Sequence, residues 1–186
     1  TYNLRMSEPF AQPINASTRY CAVYGHPIKH SASPAMQNAG IAKLGLNWRY
    51  LAVEVHPDNL RAAIAGAQAM KFIGLNLTVP HKLLALEMVD ELDDSAKTWG
   101  AVNTIRFEPD SDGMVRAYGF NTDAEAITRA LREDLRVEPR GARVLLLGAG
   151  GAGRTAALKL ADDGAAALYL VNRTPGKSAT LGAEIG

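Results

Sequence analysis

One lysine and one carboxylate stand out among the 186 residues by the company they keep. Lys82 closes the run Asn76-Leu77-Thr78-Val79-Pro80-His81-Lys82, and Asp123 closes Asn121-Thr122-Asp123. Two more polar clusters, His30-Ser31-Ala32-Ser33-Pro34 and Gly100-Ala101-Val102-Asn103-Thr104, also fall at strand ends or in loops. One ammonium, one carboxylate, hydroxyls and amides together suit a small polyhydroxylated acid. In an α/β sheet, ligands bind beyond the carboxyl ends of the strands. Each residue also has an ordinary explanation. Lys82 alone is a solvated lysine at a helix start, Asp123 alone an N-cap, and Ser31 and Ser33 alone are turn and cap residues before Pro34. His30 and His81 flank the clusters, while His26 and His56 read as surface or loop residues. The histidines have no metal-ligand spacing, so no metal is expected. Cys21 reads as a small buried hydrophobe.

A second source of chemistry is Gly148-Ala149-Gly150-Gly151-Ala152-Gly153, which fits G-x-G-x-x-G. It follows the apolar run Val144-Leu145-Leu146-Leu147 and opens a helical pattern, the setting in which the motif has meaning. Glycines there permit a tight turn and close approach of backbone to a pyrophosphate, and the helix start supplies N–H groups. About 20 residues on, an NAD site would place a carboxylate. This chain has Asn172-Arg173-Thr174, with Lys177 a helical turn further. A guanidinium there suits a ribose 2′-phosphate, which favours NADP over NAD.

These residues need elements to hold them. Strands are expected over 20–24, 50–55, 72–79, 103–107, 115–118, 143–147 and 167–171. Helices are expected from Pro34, and over 57–70, 81–92, 123–135 and 156–162, with an unfinished helical pattern over 178–186. Pro109-Asp110-Ser111-Asp112-Gly113 signals a hairpin. Strands alternating with helices imply parallel sheets covered on both faces. The fold class is therefore α/β. Residues 1–19 read as a lead-in, 20–123 as a first domain and 124–186 as a Rossmann-type nucleotide-binding domain, with the boundary in the helix after Asp123 or in Val137 to Gly141.

Composition narrows the function. Lysine plus arginine number 20 against 19 for aspartate plus glutamate, which disfavours nucleic acid or a polybasic membrane surface as partner. A single cysteine excludes an internal disulfide framework and fits a reducing cytoplasm. No apolar run is long enough to span a bilayer. The chain begins at Thr1 and stops within a helical pattern, so both ends read as cut.

Taken together and in order, S-x-S-P, N-x-T-x-P-x-K, G-A-V-N-T, N-T-D, G-A-G-G-A and N-R-T resemble the shikimate dehydrogenase family over about residues 20–180. The resemblance implies an N-terminal substrate domain, a Rossmann-type NADP domain whose C-terminal part is missing here, and reversible reduction of 3-dehydroshikimate to shikimate in aromatic amino acid biosynthesis. It assigns Ser31 and Ser33 to the shikimate carboxylate, and Asn76, Thr78, Asn103 and Asp123 to the ring hydroxyls. Lys82 becomes the central catalytic residue with Asp123 beside it. Gly148, Ala149, Gly150, Gly151, Ala152 and Gly153 would hold the NADP pyrophosphate, and Asn172, Arg173, Thr174 and Lys177 the 2′-phosphate side. A lysine ammonium can stabilise a developing alkoxide and donate to it. A nearby carboxylate favours the charged form, so oxidation is expected to speed up as pH rises.

Two positions depart from the family pattern: Gln37 stands where histidine is usual, and Ala124 where glycine is usual. Family members also continue past residue 186, so the chain as given would bind weakly or be inactive. Tyr2-Asn3-Leu4-Arg5 resembles the junction in fusions with a 3-dehydroquinate dehydratase domain. Alternatives are a quinate/shikimate dehydrogenase, a non-catalytic shikimate- or NADP-binding module, and a reductase resembling glutamyl-tRNA reductase or methylenetetrahydrofolate dehydrogenase. The expected assembly is a monomer or homodimer.

Overall fold

The computed structural model describes residues 13–186. Most of the expected lead-in, Tyr2-Asn3-Leu4-Arg5 included, lies outside the described residues. The strands of the first sheet are β1 Arg19–Gly25, β2 Trp48–Glu54, β3 Gly74–Leu77, β4 Glu91–Leu92, β5 Thr104–Pro109 and β6 Val115–Phe120. They form a six-stranded sheet in the order β2-β1-β3-β5-β6-β4. Between them run α1 Ser33–Lys43, α2 Leu60–Ala69, α3 His81–Leu84 and α4 Asp94–Trp99.

Local chemistry explains most of these elements. Pro34 occupies the first turn of α1, where its missing N–H costs nothing. On α2, Leu60, Ile64 and Ala67 repeat at helical spacing and are buried. They pack on Ala22, Tyr24, Leu75, Leu77, Ile105 and Phe107 from the sheet. That contiguous apolar face is what holds the helices to the strands.

The sheet is mixed, which corrects the expectation of purely parallel sheets. β1 is parallel to β2 and β3, but β5 is antiparallel to both β3 and β6. The hairpin at Asp110–Gly113 reverses the chain between β5 and β6, and this turn overrides the βα alternation elsewhere. The helix expected over 81–92 is also broken. α3 is followed by a 3-10 turn, Ala85–Glu87, and then by β4. Asp90 is the cause: its N–H donates to the Ala117 carbonyl at 2.9 Å, and its carboxylate accepts from the Ala117 N–H at 2.7 Å. Those bonds draw the chain onto the edge of β6. The strand expected over 72–79 shrinks to β3. The helix expected over 57–70 opens as a 3-10 turn, Pro57–Asn59, before α2. α4 has no counterpart among the expected helices, although it carries ordinary signals. Asp93 accepts the Ala96 N–H at 3.1 Å as N-cap, and Gly100 ends the helix at φ 58°.

The remaining chain forms α5 Asp123–Glu133, β7 Arg143–Leu147, α6 Gly151–Asp162, β8 Ala167–Val171 and α7 Pro175–Ile185. β7 and β8 pair in parallel as a two-stranded sheet. Leu146 and Leu170 pack with Ala157 of α6 and Leu181 of α7 on one face. Leu145, Leu147, Tyr169 and Val171 alternate onto the other face and are exposed. Among the described residues α6 and α7 pack on the same side, so the expected cover on both faces is not met within them.

The two sheets are tied together by buried polar contacts. Asn121, after β6, donates to Thr155 of α6 at 3.1 Å, with both residues buried. Lys159 of α6 pairs with Asp163 at 2.8 Å and Glu125 of α5 at 3.4 Å, and lies over the Trp99 ring of α4. Its hydrogen bond to Asp163 raises the Lys159 pKa against the cost of burial.

Candidate active site

Topology gathers the polar clusters at one end of the six-stranded sheet. β1 and β3 run in parallel, with Val23 opposite Asn76 and Tyr24 opposite Leu77. The loop carrying Ser31 and Ser33 leaves the end of β1, and Thr78 to Lys82 leave the end of β3. The antiparallel register sets Thr104 opposite Asn76 and Phe120 opposite Thr104. Asn103 therefore enters β5, and Asn121 to Asp123 leave β6, at the same end.

Lys82 and Asp123 meet directly. The Lys82 Nζ lies 2.6 Å from Asp123 Oδ2, with side chains only 13% and 22% exposed. Pairing and hydrogen bonding offset the cost of shielding both charges from most of the water. The second carboxylate oxygen, Oδ1, accepts from Asn103 Nδ2 at 2.8 Å. Asp123 is not the side-chain cap of α5. Asn121 Oδ1 takes that role, accepting the Asp123 N–H at 3.0 Å and the Ala124 N–H at 3.3 Å. The Asp123 carboxylate is thus left to Lys82 and Asn103.

Asn103 is 8% exposed and richly bonded within the protein. Its Nδ2 donates to Thr122 Oγ1 as well as to Asp123, and its Oδ1 accepts from the Thr122 N–H and the Thr104 hydroxyl. Asn76 donates to Thr104 Oγ1 at 3.1 Å and accepts from the Tyr50 hydroxyl at 2.6 Å. The composition of the clusters does not single out Tyr50, Thr104 or Asn121. Thr104 and Asn121 stand inside the quoted motifs, but Tyr50 reads only as a strand residue. Ser31 Oγ accepts the Ser33 N–H at 3.3 Å, which folds that loop ahead of α1. Thr78 is fixed through its backbone, donating to the Tyr24 carbonyl and accepting from the His81 N–H.

The glycine loop abuts this cluster. A Cβ on Gly151 would lie 3.0 Å from the Lys82 Cβ, so glycine lets the loop approach the lysine. A Cβ on Gly153 would lie 2.0 Å from the Gly148 carbonyl oxygen, and Gly148 itself has φ +108°. Those two glycines are required by the turn. Gly150 is different. Its backbone is extended, at φ −82° and ψ −173°, and a Cβ there would meet none of the described protein atoms within 4 Å. Neither packing nor backbone strain demands glycine at 150, but a ligand lying against the loop would. The first N–H groups of α6, lacking intrahelical partners, open at the same place. Asn172 holds the loop: its Oδ1 accepts the Ala149 N–H at 3.1 Å and its Nδ2 donates to the Thr174 carbonyl at 2.8 Å. Arg173, Thr174 and Lys177 are exposed just beyond. Donor set and open loop fit a phosphorylated dinucleotide. A cavity of about 240 Å³ between Leu83, Ala149, Arg154 and Lys177 borders both sheets' helices.

His81, beside Lys82, is fully buried, and neither ring nitrogen has a hydrogen-bond partner in good geometry among the described residues. Burial lowers its pKa below the usual 6.5, with the nearby Val55 carbonyl offsetting part of the effect. The unfolded chain then binds more protons than the folded one as pH falls below 6.5. Stability is therefore full above that value and is lost as pH drops. Thermal midpoints of wild type and His81→Gln across this range should differ, the variant showing a shallower acid decline. Parallel declines would contradict the assignment.

A half-buried lysine–carboxylate pair beside a glycine-rich βαβ turn defines an α/β protein with a Rossmann-type unit. Residues 23–105 match the shikimate dehydrogenase substrate binding domain. The chain is 46% identical over 172 residues to the NADP(+) shikimate dehydrogenase of Methanopyrus kandleri, covering 92% of this chain and 58% of that protein. A crystal structure of a shikimate dehydrogenase in complex with NADP+ superposes with TM-score 0.83 at 41% identity, over 96% of this chain and 59% of the other. One from Thermus thermophilus, in complex with NADP(H) and shikimate, gives 0.77 at 38% identity, over 90% and 61%. Over the residues it spans, the chain is similar to the NADP(+) shikimate dehydrogenases. It spans less than two thirds of the length of these relatives.

Proposed function

We propose that this chain supplies the substrate site and the phosphate-binding end of the cofactor site of an NADP-dependent shikimate dehydrogenase. The observation that carries the reading is the Lys82–Asp123 pair, shielded from water and set against the glycine loop at Gly151. Residues 20–123 would bind shikimate and residues 124–186 the nucleotide. NADP, when bound, supplies or takes the hydride. Everything else falls to the chain's own side chains.

In the reductive direction the Lys82 ammonium stabilises the oxygen of the carbonyl as negative charge develops there, and delivers a proton to it. Asp123 holds the ammonium in place through Oδ2, while Asn103 holds Asp123 through Oδ1. In the oxidative direction Lys82 receives the proton from the substrate hydroxyl. Ser31 and Ser33 would meet the carboxylate, and Asn76 and Thr78 the ring hydroxyls. Gly148 to Gly153 would take the pyrophosphate, with Arg173, Thr174 and Lys177 on the 2′-phosphate side. Asn172 serves this site by bracing the loop. The residues equally suit quinate, whose extra hydroxyl would fall near Ser31 and Ser33.

The glycine geometry offers a clean test. Gly150→Ala should leave the thermal midpoint unchanged and weaken NADP binding, because its new methyl meets only the ligand. Gly153→Ala should lower both, because its methyl meets the Gly148 carbonyl. Equal NADP affinity in wild type and Gly150→Ala would remove the dinucleotide from this loop. The activity itself is tested by following NADP reduction with shikimate as substrate, with NAD and quinate as the comparisons.

A further inference from the structure

We propose that Tyr50 is a positioning residue of the substrate site, fixing through its hydroxyl the orientation in which Asn76 meets the ligand. The proposal rests on the shikimate reading above. Tyr50 lies on β2, the edge strand of the sheet, and is 6% exposed. Its backbone is clamped from outside by Asn38 of α1. Asn38 Nδ2 donates to the Tyr50 carbonyl at 2.8 Å, and Asn38 Oδ1 accepts the Tyr50 N–H at 3.0 Å. This side chain pairs the open strand edge as a neighbouring strand would. A third bond, from Asn38 Nδ2 to the Pro34 carbonyl at 2.8 Å, ties the clamp to the first turn of α1, next to Ser33.

So held, the Tyr50 hydroxyl donates to Asn76 Oδ1 at 2.6 Å. The orientation of the Asn76 amide is not arbitrary. Its other end faces the Asn103 backbone carbonyl at 3.5 Å, which can only accept, so that end is the NH2 group. Nδ2 donates to Thr104 Oγ1, the Thr104 hydroxyl donates to Asn103 Oδ1, and Asn103 Nδ2 donates to Asp123 Oδ1. Every bond in this chain points the same way, from the Tyr50 hydroxyl to a carboxylate. Aligned bonds of this kind polarise one another. Burial pushes the Tyr50 pKa up to about 12, with the Cys21 thiol adding to the effect, so the hydroxyl remains a donor well into the alkaline range.

The arrangement dictates what Asn76 offers. One N–H is taken by Thr104, and among the described residues the other makes only the long contact to Asn103, so it is the group a ligand oxygen would accept from. Without the Tyr50 hydroxyl, Asn76 Oδ1 loses its donor and the amide its anchor.

Calorimetric titration without nucleotide tests this. Wild type and Tyr50→Phe are titrated with shikimate and with its monodeoxy analogues. The expected result is a loss of about tenfold in shikimate affinity for Tyr50→Phe, in keeping with one hydrogen bond to a site amide. The loss should disappear for one analogue only, the one lacking the hydroxyl that faces Asn76. A purely structural role would penalise every analogue alike, and equal affinity of variant and wild type would dispense with Tyr50; either overturns the proposal. Replacing Tyr50 with 3,5-difluorotyrosine, which ionises at lower pH at almost unchanged volume, guards against misfolding of the phenylalanine variant. Its shikimate affinity should fall with rising pH where that of wild type holds. Identical pH profiles would count against the role. Absence of shikimate binding by folded wild type is a different outcome, and defeats the substrate reading itself.

Discussion

Lys82→Ala should abolish most of the turnover while leaving shikimate binding comparatively intact. The ammonium is asked to do two things at the reacting oxygen: stabilise developing charge and move a proton. Each is typically worth a hundredfold or more, so kcat should fall by about a thousandfold or beyond. The ring hydroxyls and carboxylate of the ligand still find Asn76, Thr78, Ser31 and Ser33, so KM should move far less. The variant should remain folded. Asp123 keeps Asn103 as a donor and sits 22% exposed, so water can reach what Lys82 leaves behind. A thermal melt beside the kinetics separates the effects. A variant that retains the melt and retains turnover would show that Lys82 is a structural partner of Asp123 and nothing more. A pure binder would have no turnover to lose.

The second large effect belongs to the nucleotide end. Arg173→Ala combined with Lys177→Ala should raise KM for NADP by about a hundredfold or more, since each lost charge-assisted bond typically contributes one to two decades less some overlap. KM for NAD, which lacks the 2′-phosphate, should hardly move. Both side chains are exposed, so the substitutions should cost the fold little. Equal effects on the two nucleotides would mean that these cations act on the pyrophosphate or on general electrostatics, not on the 2′-phosphate.

Much of the site is legible in the sequence because its residue types sit in short local motifs. Lys82 and Asp123 each close such a motif, and the structure brings them within 2.6 Å. The glycine loop is readable from its place after an apolar strand, and the hairpin from Asp110 to Gly113. What escapes depends on pairing across the sheet. Tyr50 reaches Asn76 only because β1 lies between β2 and β3, with Cys21 opposite Tyr50 and Val23 opposite Asn76. No periodicity along the chain encodes that neighbour. The break after α3 has the same origin, since the partner of Asp90 is Ala117, far along the chain. Asn172 illustrates a different limit. Its motif suggests the 2′-phosphate side, but its amide is spent on the Ala149 N–H and the Thr174 carbonyl, and only coordinates show which groups are already taken.

The most direct test of the account is calorimetric titration of this chain with shikimate, with quinate run in parallel. Nearly all the proposed substrate contacts lie between Ser31 and Asp123, gathered at one end of a single sheet. Saturable heat with shikimate, and loss of that heat in an Asn76→Ala, Ser33→Ala double variant, is the expected result, and the quinate titration sets the preference between the two acids. A chain that melts cooperatively yet gives no heat with either acid would contradict the assignment of this cleft to shikimate.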